Sequence, residues 1–266
     1  PGAFSAGANQ MYVAISVKEN RFSDIEKMIA GLQYGLLNFK YAPFPVVAAP
    51  FGLALGGGCE LCLAADRSVV HAELYMGLVE IGVGVLPAGG GCLNLWRKFL
   101  DTVPEAVTEM DLAKLFIPVF MSIAMAKVST SAAEARANGF LGPRDRIVMN
   151  RDHLIGEAKK EVLRMLENGY APPLKRPFRV LGQAGQGMVA AQIADMANGQ
   201  FVSEYDAFLA RRIAYVISGG DVRDNAEVTD DVILTLEREA FIDFLKEEKT
   251  VARIEHMLKT GKPLRN

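Results

Sequence analysis

The stretch "FGLALGGGCELCLAAD" (residues 51–66) places three consecutive glycines, Gly56–Gly58, between an apolar run and Cys59-Glu60. Tight turns usually need one or two glycines, with Ser, Asn or Asp beside them. A third glycine without a polar neighbour indicates that another group comes very close to the backbone at this point. The pattern predicts a strand that ends at the glycines and a helix over residues 58–65.

The segments around this turn also have the sequence patterns of alternating strands and helices. "VVAA" (46–49) is a short apolar strand of the parallel-sheet type, and "RSVVHA" (67–72) reads as another strand. In "EIGVGVLPAGGG" (80–91), Pro87 stands just before an expected helix start. Strands that alternate with helices predict an α/β domain with right-handed crossovers.

An amphipathic helix precedes the first of these strands. Ser23 and Glu26 have the spacing of a capping box, and Pro43 and Pro45 are expected to end the helix. Apolar residues follow at helical spacing, namely Ile25, Met28, Ile29, Leu32 and Leu36.

The second half of the chain is mostly helical in pattern. Three prolines interrupt it at residues 171–177, and Ser203 signals the start of a later helix, which is followed by further helices over 229–247 and 250–259. We therefore predict an α/β core over residues 1–170 and a helical C-terminal extension over 171–266.

Composition limits the classes of function. The chain has 266 residues, of which 50% are hydrophobic and 23% charged, and its net charge of −2 gives no electrostatic reason to expect nucleic acid or an anionic membrane as a partner. No apolar run reaches the ~18 residues of a membrane span without interruption. The start "PGAFSAGANQ" lacks an initiator Met and the features of a signal peptide, so we expect a piece of a longer protein.

Cysteine usage indicates a reducing compartment. Cys59, Cys62 and Cys92 are too few for a disulfide framework, and the C-x-x-C spacing of the first two has no second pair of ligands. We expect all three to be small core residues in a cytoplasmic protein.

The glycine turn has a chemical use. A helix that starts there presents unpaired N–H groups and the positive end of its dipole, and glycines let a ligand carbonyl approach them. Such a corner stabilises an oxyanion. Glu60 lies in the first helical turn, and Glu80, at the end of a later strand, is the second candidate carboxylate, which a loop would return beside the first.

Other glycine-rich stretches fit no phosphate-binding motif. No G-K-[ST] follows the glycines, and "GVGVLP" (82–87) has Pro87 where a dinucleotide fingerprint needs its third glycine. "GQAGQG" (182–187) and "TGKP" (260–263) fit neither motif, no G-x-S-x-G occurs, and the three histidines have no metal-ligand spacing. We predict no metal site.

Three motifs in order resemble the crotonase (enoyl-CoA hydratase/isomerase) superfamily. They are "AFSAGAN" (3–9), "GLALGGGCELCLAADRSVV" (52–70) and "MGLVEIGVGVLPAGGG" (76–91), and the resemblance extends through "AMAKVSTSAAEARANGFL" (124–141). The ending "EHMLKTGKPLRN" (255–266) resembles the tail of bacterial fusion proteins that join a 3-hydroxyacyl-CoA dehydrogenase to a hydratase.

The resemblance implies roles for particular residues. The N–H groups of Ala8 and Gly57 would form an oxyanion hole for the thioester carbonyl of an acyl-CoA, and Glu60 and Glu80 would hold the catalytic water. Backbone carbonyls near Ala6 would contact the adenine of CoA. The expected substrate-binding residues are Ala6, Gly7, Gly56, Gly58, Pro87 and Ala88.

The sequence also departs from the family pattern. Asn9 stands where the family usually has Asp, and Val79 where proline commonly precedes the second glutamate. Family members have about two strands and a helix before the "AFSAGA" segment. The resemblance therefore implies a crotonase-like ββα spiral, truncated at its N-terminus, with a helical C-terminal extension.

The implied activity is a lyase reaction, the hydration of 2-enoyl-CoA in fatty-acid β-oxidation. The chain would be the hydratase part of a multifunctional 3-hydroxyacyl-CoA dehydrogenase, with the dehydrogenase domain of the same polypeptide as its partner. No cofactor is expected in this segment, since CoA belongs to the substrate and NAD to the dehydrogenase half. An enoyl-CoA isomerase, which tends to keep only the second carboxylate, and a non-catalytic acyl-CoA binding or docking domain stay open, as do a homo-oligomer and the acyl-chain length.

Overall fold

The computed structural model describes residues 2–104, 106–107, 109–199 and 201–266, which form a mixed α/β structure. The α-helices are α1 (Gln10–Lys18), α2 (Phe22–Lys40), α3 (Gly57–Ala64), α4 (Gly91–Leu100), α5 (Ala113–Ala124), α6 (Ala132–Ala137), α7 (Leu154–Glu167), α8 (Gln183–Asn198), α9 (Glu204–Ile217), α10 (Asp230–Leu245) and α11 (Glu248–Thr260). The strands are β1 (Val47–Ala48), β2 (Gly52–Leu55), β3 (Arg67–His71), β4 (Leu74–Gly77), β5 (Val128–Ser129), β6 (Arg146–Val148), β7 (Phe178–Arg179) and β8 (Glu227–Val228). Two short 3₁₀ turns span Glu80–Val83 and Arg151–His153.

The strands form small sheets with parallel pairing at their centre. One sheet has the order β1-β3-β6, and its pairs are parallel. A second has the order β2-β4-β5, in which β2 and β4 are parallel and β5 is antiparallel. Ser5 bridges Ala54 of β2 in parallel, so the N-terminal segment runs along this sheet. The α/β class predicted from the sequence is confirmed.

The helix α2 is present, but its predicted start is wrong. It begins at Phe22, one residue before the proposed Ser23 cap, and Arg21 at its N-cap position has no side-chain capping bond. The Arg21 carbonyl accepts from the amides of Asp24 and Ile25, because the short turn from α1 already places that carbonyl at the helix start. The turn from α1, and not a capping side chain, therefore sets the start of α2.

The C-terminal helices follow their sequence signals more closely. Ser203 caps α9, since its Oγ accepts from the Asp206 amide at 3.0 Å. The division into 1–170 and 171–266 stays a prediction. One hydrophobic core includes residues from both sides of it, among them Leu95 and Ile233.

Among the described residues, no helix combines the length and the apolar character that crossing a membrane requires.

Candidate active site

The turn from β2 to α3 explains the three glycines. Gly56 has a φ of 54°, in the left-handed region, and its amide donates to the Gly77 carbonyl at the end of β4. A Cβ atom on Gly58 would lie 2.7 Å from the Ser5 Cβ, and one on Gly7 would lie 3.6 Å from the Leu55 carbonyl oxygen. The glycines therefore let the N-terminal segment lie directly against the turn.

This close approach brings the predicted oxyanion-hole residues to one corner. The Gly7 Cα lies 4.0 Å from the position that a Cβ on Gly57 would take, and Ala8 follows Gly7 in the chain. Within the described ranges, neither the Ala8 amide nor the Gly57 amide has a hydrogen-bond acceptor. Both N–H groups are thus available to a ligand, and their role stays a prediction.

Glu60 is buried in the first turn of α3, with 3% of its surface exposed. Its Oε1 accepts hydrogen bonds from the amides of Gly89 (2.7 Å) and Gly91 (2.9 Å). A Cβ atom on Gly89 would lie 2.5 Å from Oε2, so this second set of glycines makes room for the carboxylate. Burial raises the pKa of Glu60 to about 7, against the two amides, which lower it.

Glu80 opens the 3₁₀ turn after β4 and faces the same corner. Its Oε1 lies 2.9 Å from the position of a Cβ on Gly56, whereas Oε2 of Glu60 lies 3.8 Å from that of a Cβ on Gly57. Oε2 of Glu80 is buried and has no hydrogen-bond partner among the described residues. Burial, and then the charge of Glu60, raises the pKa of Glu80 well above its usual range.

Adjacent glycines thus face two carboxylates of different character. Glu60 accepts two amide hydrogen bonds, which favour its ionised form. For Glu80, burial and the charge of Glu60 raise the pKa more than the nearby backbone amides lower it, so it carries the larger penalty for ionisation. An ionised base beside a neutral acid can move one proton in and another out of a bound molecule.

The loop between Glu80 and α4 is longer than the sequence pattern predicted. Pro87 does not stand directly before the helix, because α4 begins at Gly91 and the amides of Gly89 and Gly91 are bound by Glu60. The Pro87 carbonyl accepts from the Cys92 thiol, and the Ala88 carbonyl accepts from Gln33 Nε2 at 2.7 Å. Both residues are buried beside Glu60, while Ala6 and Gly7 are exposed.

One residue of this region was missed by sequence reasoning. Glu237 on α10 is fully buried, and its carboxylate accepts from the amides of Gly90 (2.8 Å) and Leu93 (2.9 Å). The available signal was a glutamate on the apolar face of α10, in line with Ile233 and Ala240. That pattern alone does not identify what the carboxylate binds.

The cysteine thiols are core groups. Cys59, Cys62 and Cys92 are buried free thiols, as expected from the sequence, and burial raises the pKa of Cys62 to about 12. In the part of the chain that the structure describes, no group of three or more His, Cys, Asp or Glu side chains is arranged to hold a metal ion.

A cavity of about 1180 Å³ lies at the opposite end of α3, and none of the predicted site residues lines it. Several of its basic side chains are engaged in ion pairs, such as Arg97 with Asp230 (2.6 Å) and Lys98 with Asp145 (3.3 Å). Size alone does not make it the reaction site, because the glycine turns and the paired carboxylates lie elsewhere.

Comparison with known proteins agrees with this geometry. Residues 1–110 match the family model of enoyl-CoA hydratase/isomerase. Over these residues the chain is similar to that family, which is the crotonase superfamily that its sequence motifs resemble. The crystal structure of an enoyl-CoA hydratase from Bacillus halodurans superposes with a TM-score of 0.59 at 18% identity, covering 96% of this chain and 77% of that one. At that identity the superposition supports the crotonase fold alone.

Sequence relatives extend beyond the family domain. The chain is 40% identical over 263 residues to a Bacillus subtilis (strain 168) protein named "Probable 3-hydroxyacyl-CoA dehydrogenase", covering 99% of this chain and 33% of that protein. It is 34% identical over 107 residues to the fatty acid oxidation complex subunit alpha of Psychrobacter cryohalolentis, covering 40% and 15%. The chain spans about a third of the length of the relatives that it matches almost throughout.

Proposed function

We propose that this chain adds water across the C2=C3 bond of 2-enoyl-CoA thioesters. The observation that carries the proposal is the pair of carboxylates, Glu60 and Glu80, facing adjacent glycines beside the available amides of Ala8 and Gly57. The similarity of residues 1–110 to the enoyl-CoA hydratase/isomerase family supports an enzyme of this class, and the proposal concerns the specific reaction.

The proposed mechanism uses each group once. The N–H groups of Ala8 and Gly57 donate to the thioester oxygen, where enolate charge develops as hydroxide adds to C3, and each such donor contributes ~10²–10³ in rate. Ionised Glu60 takes a proton from water while the water oxygen bonds to C3. Neutral Glu80 gives its proton to C2, and proton exchange between the carboxyl groups and solvent restores the starting state.

An enoyl-CoA isomerase is the nearest alternative within the family. That reaction moves one proton and needs a single base, whereas here two buried carboxylates have different hydrogen-bond environments. The two anchoring amides of Glu60 favour hydration, because a second carboxylate held with this geometry has no part in a one-base reaction. A non-catalytic acyl-CoA docking domain would bind the thioester without turnover.

The biological setting is part of the same proposal. We place the chain in fatty-acid β-oxidation, as the hydratase part of a multifunctional 3-hydroxyacyl-CoA dehydrogenase whose NAD site belongs to another domain of the polypeptide. The name of the Bacillus subtilis relative and the fraction of it that this chain spans support this view. Three buried, reduced cysteines support a cytoplasmic setting.

The test is an assay of the purified chain with crotonyl-CoA and, separately, with a 3-enoyl-CoA. Loss of the conjugated enoyl absorbance with formation of 3-hydroxyacyl-CoA is the expected result, and Glu60→Gln should abolish it. Glu73→Gln, at an exposed position, is the matched control and should hydrate like the parent. Conversion of the 3-enoyl substrate alone would indicate the isomerase, and tight binding with no turnover would indicate a docking domain.

A further inference from the structure

The N-terminus of α4 holds two carboxylates from distant parts of the chain. Gly89 and Gly91 donate their amides to Glu60, while Gly90 and Leu93 donate theirs to Glu237. The amides alternate between the two acceptors along one glycine-rich turn. Because α4 has no capping side chain of its own at Gly90, Glu237 serves as its cap from 147 positions away.

A second contact fixes the same turn to α10. The Gln33 side chain on α2 donates to the carbonyls of Ala88 (2.7 Å) and Leu234 (2.9 Å), and Arg238 donates to its Oε1 at 2.6 Å. Gln33 is 1% exposed, so these bonds lie out of solvent. The loop that binds Glu60 is therefore held to α10 by a carboxylate on one side and an amide on the other.

We propose that Glu237 is a positioning residue for Glu60. It holds the turn so that the amides of Gly89 and Gly91 point at the Glu60 carboxylate across the shared helix end. This inference rests on the proposed function, because it assigns Glu60 as the base.

No cationic side chain faces the two carboxylates directly among the described residues. The other titratable groups that face them are Glu80 on the 3₁₀ turn, Cys59 on α3 and Cys92 on α4. Arg238 reaches the turn only through Gln33. Burial and then the charge of Glu60 raise the pKa of Glu237, whereas the pKa of Glu60 is raised by burial and lowered by the amides of Gly89 and Gly91. The position of these two amides therefore sets how far the pKa of Glu60 rises.

The distinguishing variant is Glu237→Gln, which removes the charge and leaves one oxygen for two amide donors. We expect kcat for crotonyl-CoA hydration to fall about tenfold with little change in KM. The acid limb of the pH profile should move up by about one pH unit, because misplaced amides of Gly89 and Gly91 no longer lower the pKa of Glu60. Glu239→Gln, an exposed change on the same helix, is the control and should leave both unchanged.

A readout without turnover separates this proposal from the proposed function. The carboxylic-acid C=O infrared band that disappears in Glu60→Gln reports the titration of Glu60, and it should titrate at higher pH in Glu237→Gln. An unmoved titration would overturn the positioning role, even if activity fell. If the parent chain does not hydrate crotonyl-CoA, the proposed function fails, while the infrared titration still tests the positioning of Glu60.

Glu237→Asp provides the second variant if the glutamine variant does not fold. Aspartate keeps the carboxyl group, but its side chain is one methylene shorter and cannot reach both amides in the same way. We expect kcat to fall at least about fivefold and the acid limb to move up, as in the glutamine variant. Unchanged kcat would overturn the positioning role.

Discussion

The hydroxyl of Thr250 on α11 donates a hydrogen bond to the carbonyl of Gly84, 2.6 Å away, and receives one from the Tyr205 hydroxyl at the same distance. Gly84 ends the 3₁₀ turn that Glu80 begins, and its φ of 82° lies in the left-handed region. A Cβ on Gly84 would lie 2.6 Å from the Thr250 Oγ1. The C-terminal helices therefore contact the surroundings of Glu60 and Glu80 at two points: Glu237 binds the start of α4, and Thr250 binds Gly84.

Replacing Thr250 by valine should destabilise the protein with little change in side-chain volume. The Gly84 carbonyl and the Tyr205 hydroxyl would lose their partner in a site where Thr250 is fully buried. We expect the free energy of unfolding to fall by about 1–3 kcal/mol, measured by urea denaturation. Thr260→Val, at the exposed end of α11, is the control and should change it by less than about 0.5 kcal/mol. Equal effects of the two changes would contradict the buried role of Thr250.

Gly57→Pro removes one of the two amides assigned to the oxyanion hole. Proline is tolerated at the first position of a helix, which is where Gly57 stands, so the variant is expected to fold. Hydration of a short enoyl-CoA should fall by ~10² or more. Gly57→Ala keeps the N–H, and its Cβ would meet Glu60 and Gly7 only at 3.8 and 4.0 Å, so it should retain most of the activity. Unchanged turnover in a folded Gly57→Pro protein would refute the assignment.

The burial of Glu60 should make stability depend on pH. Its pKa rises from 4.5 to about 7 on folding, so the folded protein retains this proton at pH values where the unfolded chain has released it. This contribution is complete below about pH 4.5 and is lost as the pH rises through about 7. Glutamine does not titrate, and its oxygen can still accept from Gly89 and Gly91. Glu60→Gln should therefore exceed the parent in unfolding free energy at about pH 8, by up to the order of 3 kcal/mol, and this advantage should shrink towards pH 5.

Denaturation curves at several pH values measure this difference. A constant advantage across the range would contradict the raised pKa. The expected stabilisation also has a functional meaning, because a buried base that favours its neutral form is maintained at the expense of stability.

Local patterns predicted the elements whose causes are local. The apolar "VVAA" run gave β1, the glycine turn gave the start of α3, and Ser203 gave the cap of α9. The sequence also predicted that Glu60 and Glu80 lie together. The reason is that β2, which precedes Glu60, pairs in parallel with β4, which precedes Glu80.

Features that depend on residues far apart in the sequence could not be predicted from local patterns. The start of α4 is set by Glu60 and Glu237, which lie at least 29 and 144 positions from the amides that they bind. The helix α8 begins inside "GQAGQG", at Gln183, and Gly185 packs so closely on Ser218 and Phe116 that a larger side chain would not fit there. A sequence shows that a buried glutamate is unusual, but the fold decides which amides it meets.

The last prediction separates the two carboxylates by the steps that they perform. Glu60→Gln keeps the size of the side chain and loses the charge that activates water, so addition at C3 should stop. Glu80 can still exchange a proton at C2, so slow deuterium incorporation at the α-carbon of a saturated acyl-CoA should survive. Glu80→Gln should abolish that exchange as well as hydration, since no other group is assigned to C2. Mass spectrometry of acyl-CoA incubated in D₂O measures the exchange, with Glu73→Gln as the exposed control. If Glu60→Gln hydrates crotonyl-CoA as fast as the parent, the two-carboxylate mechanism is wrong and a one-base isomerase becomes the better explanation.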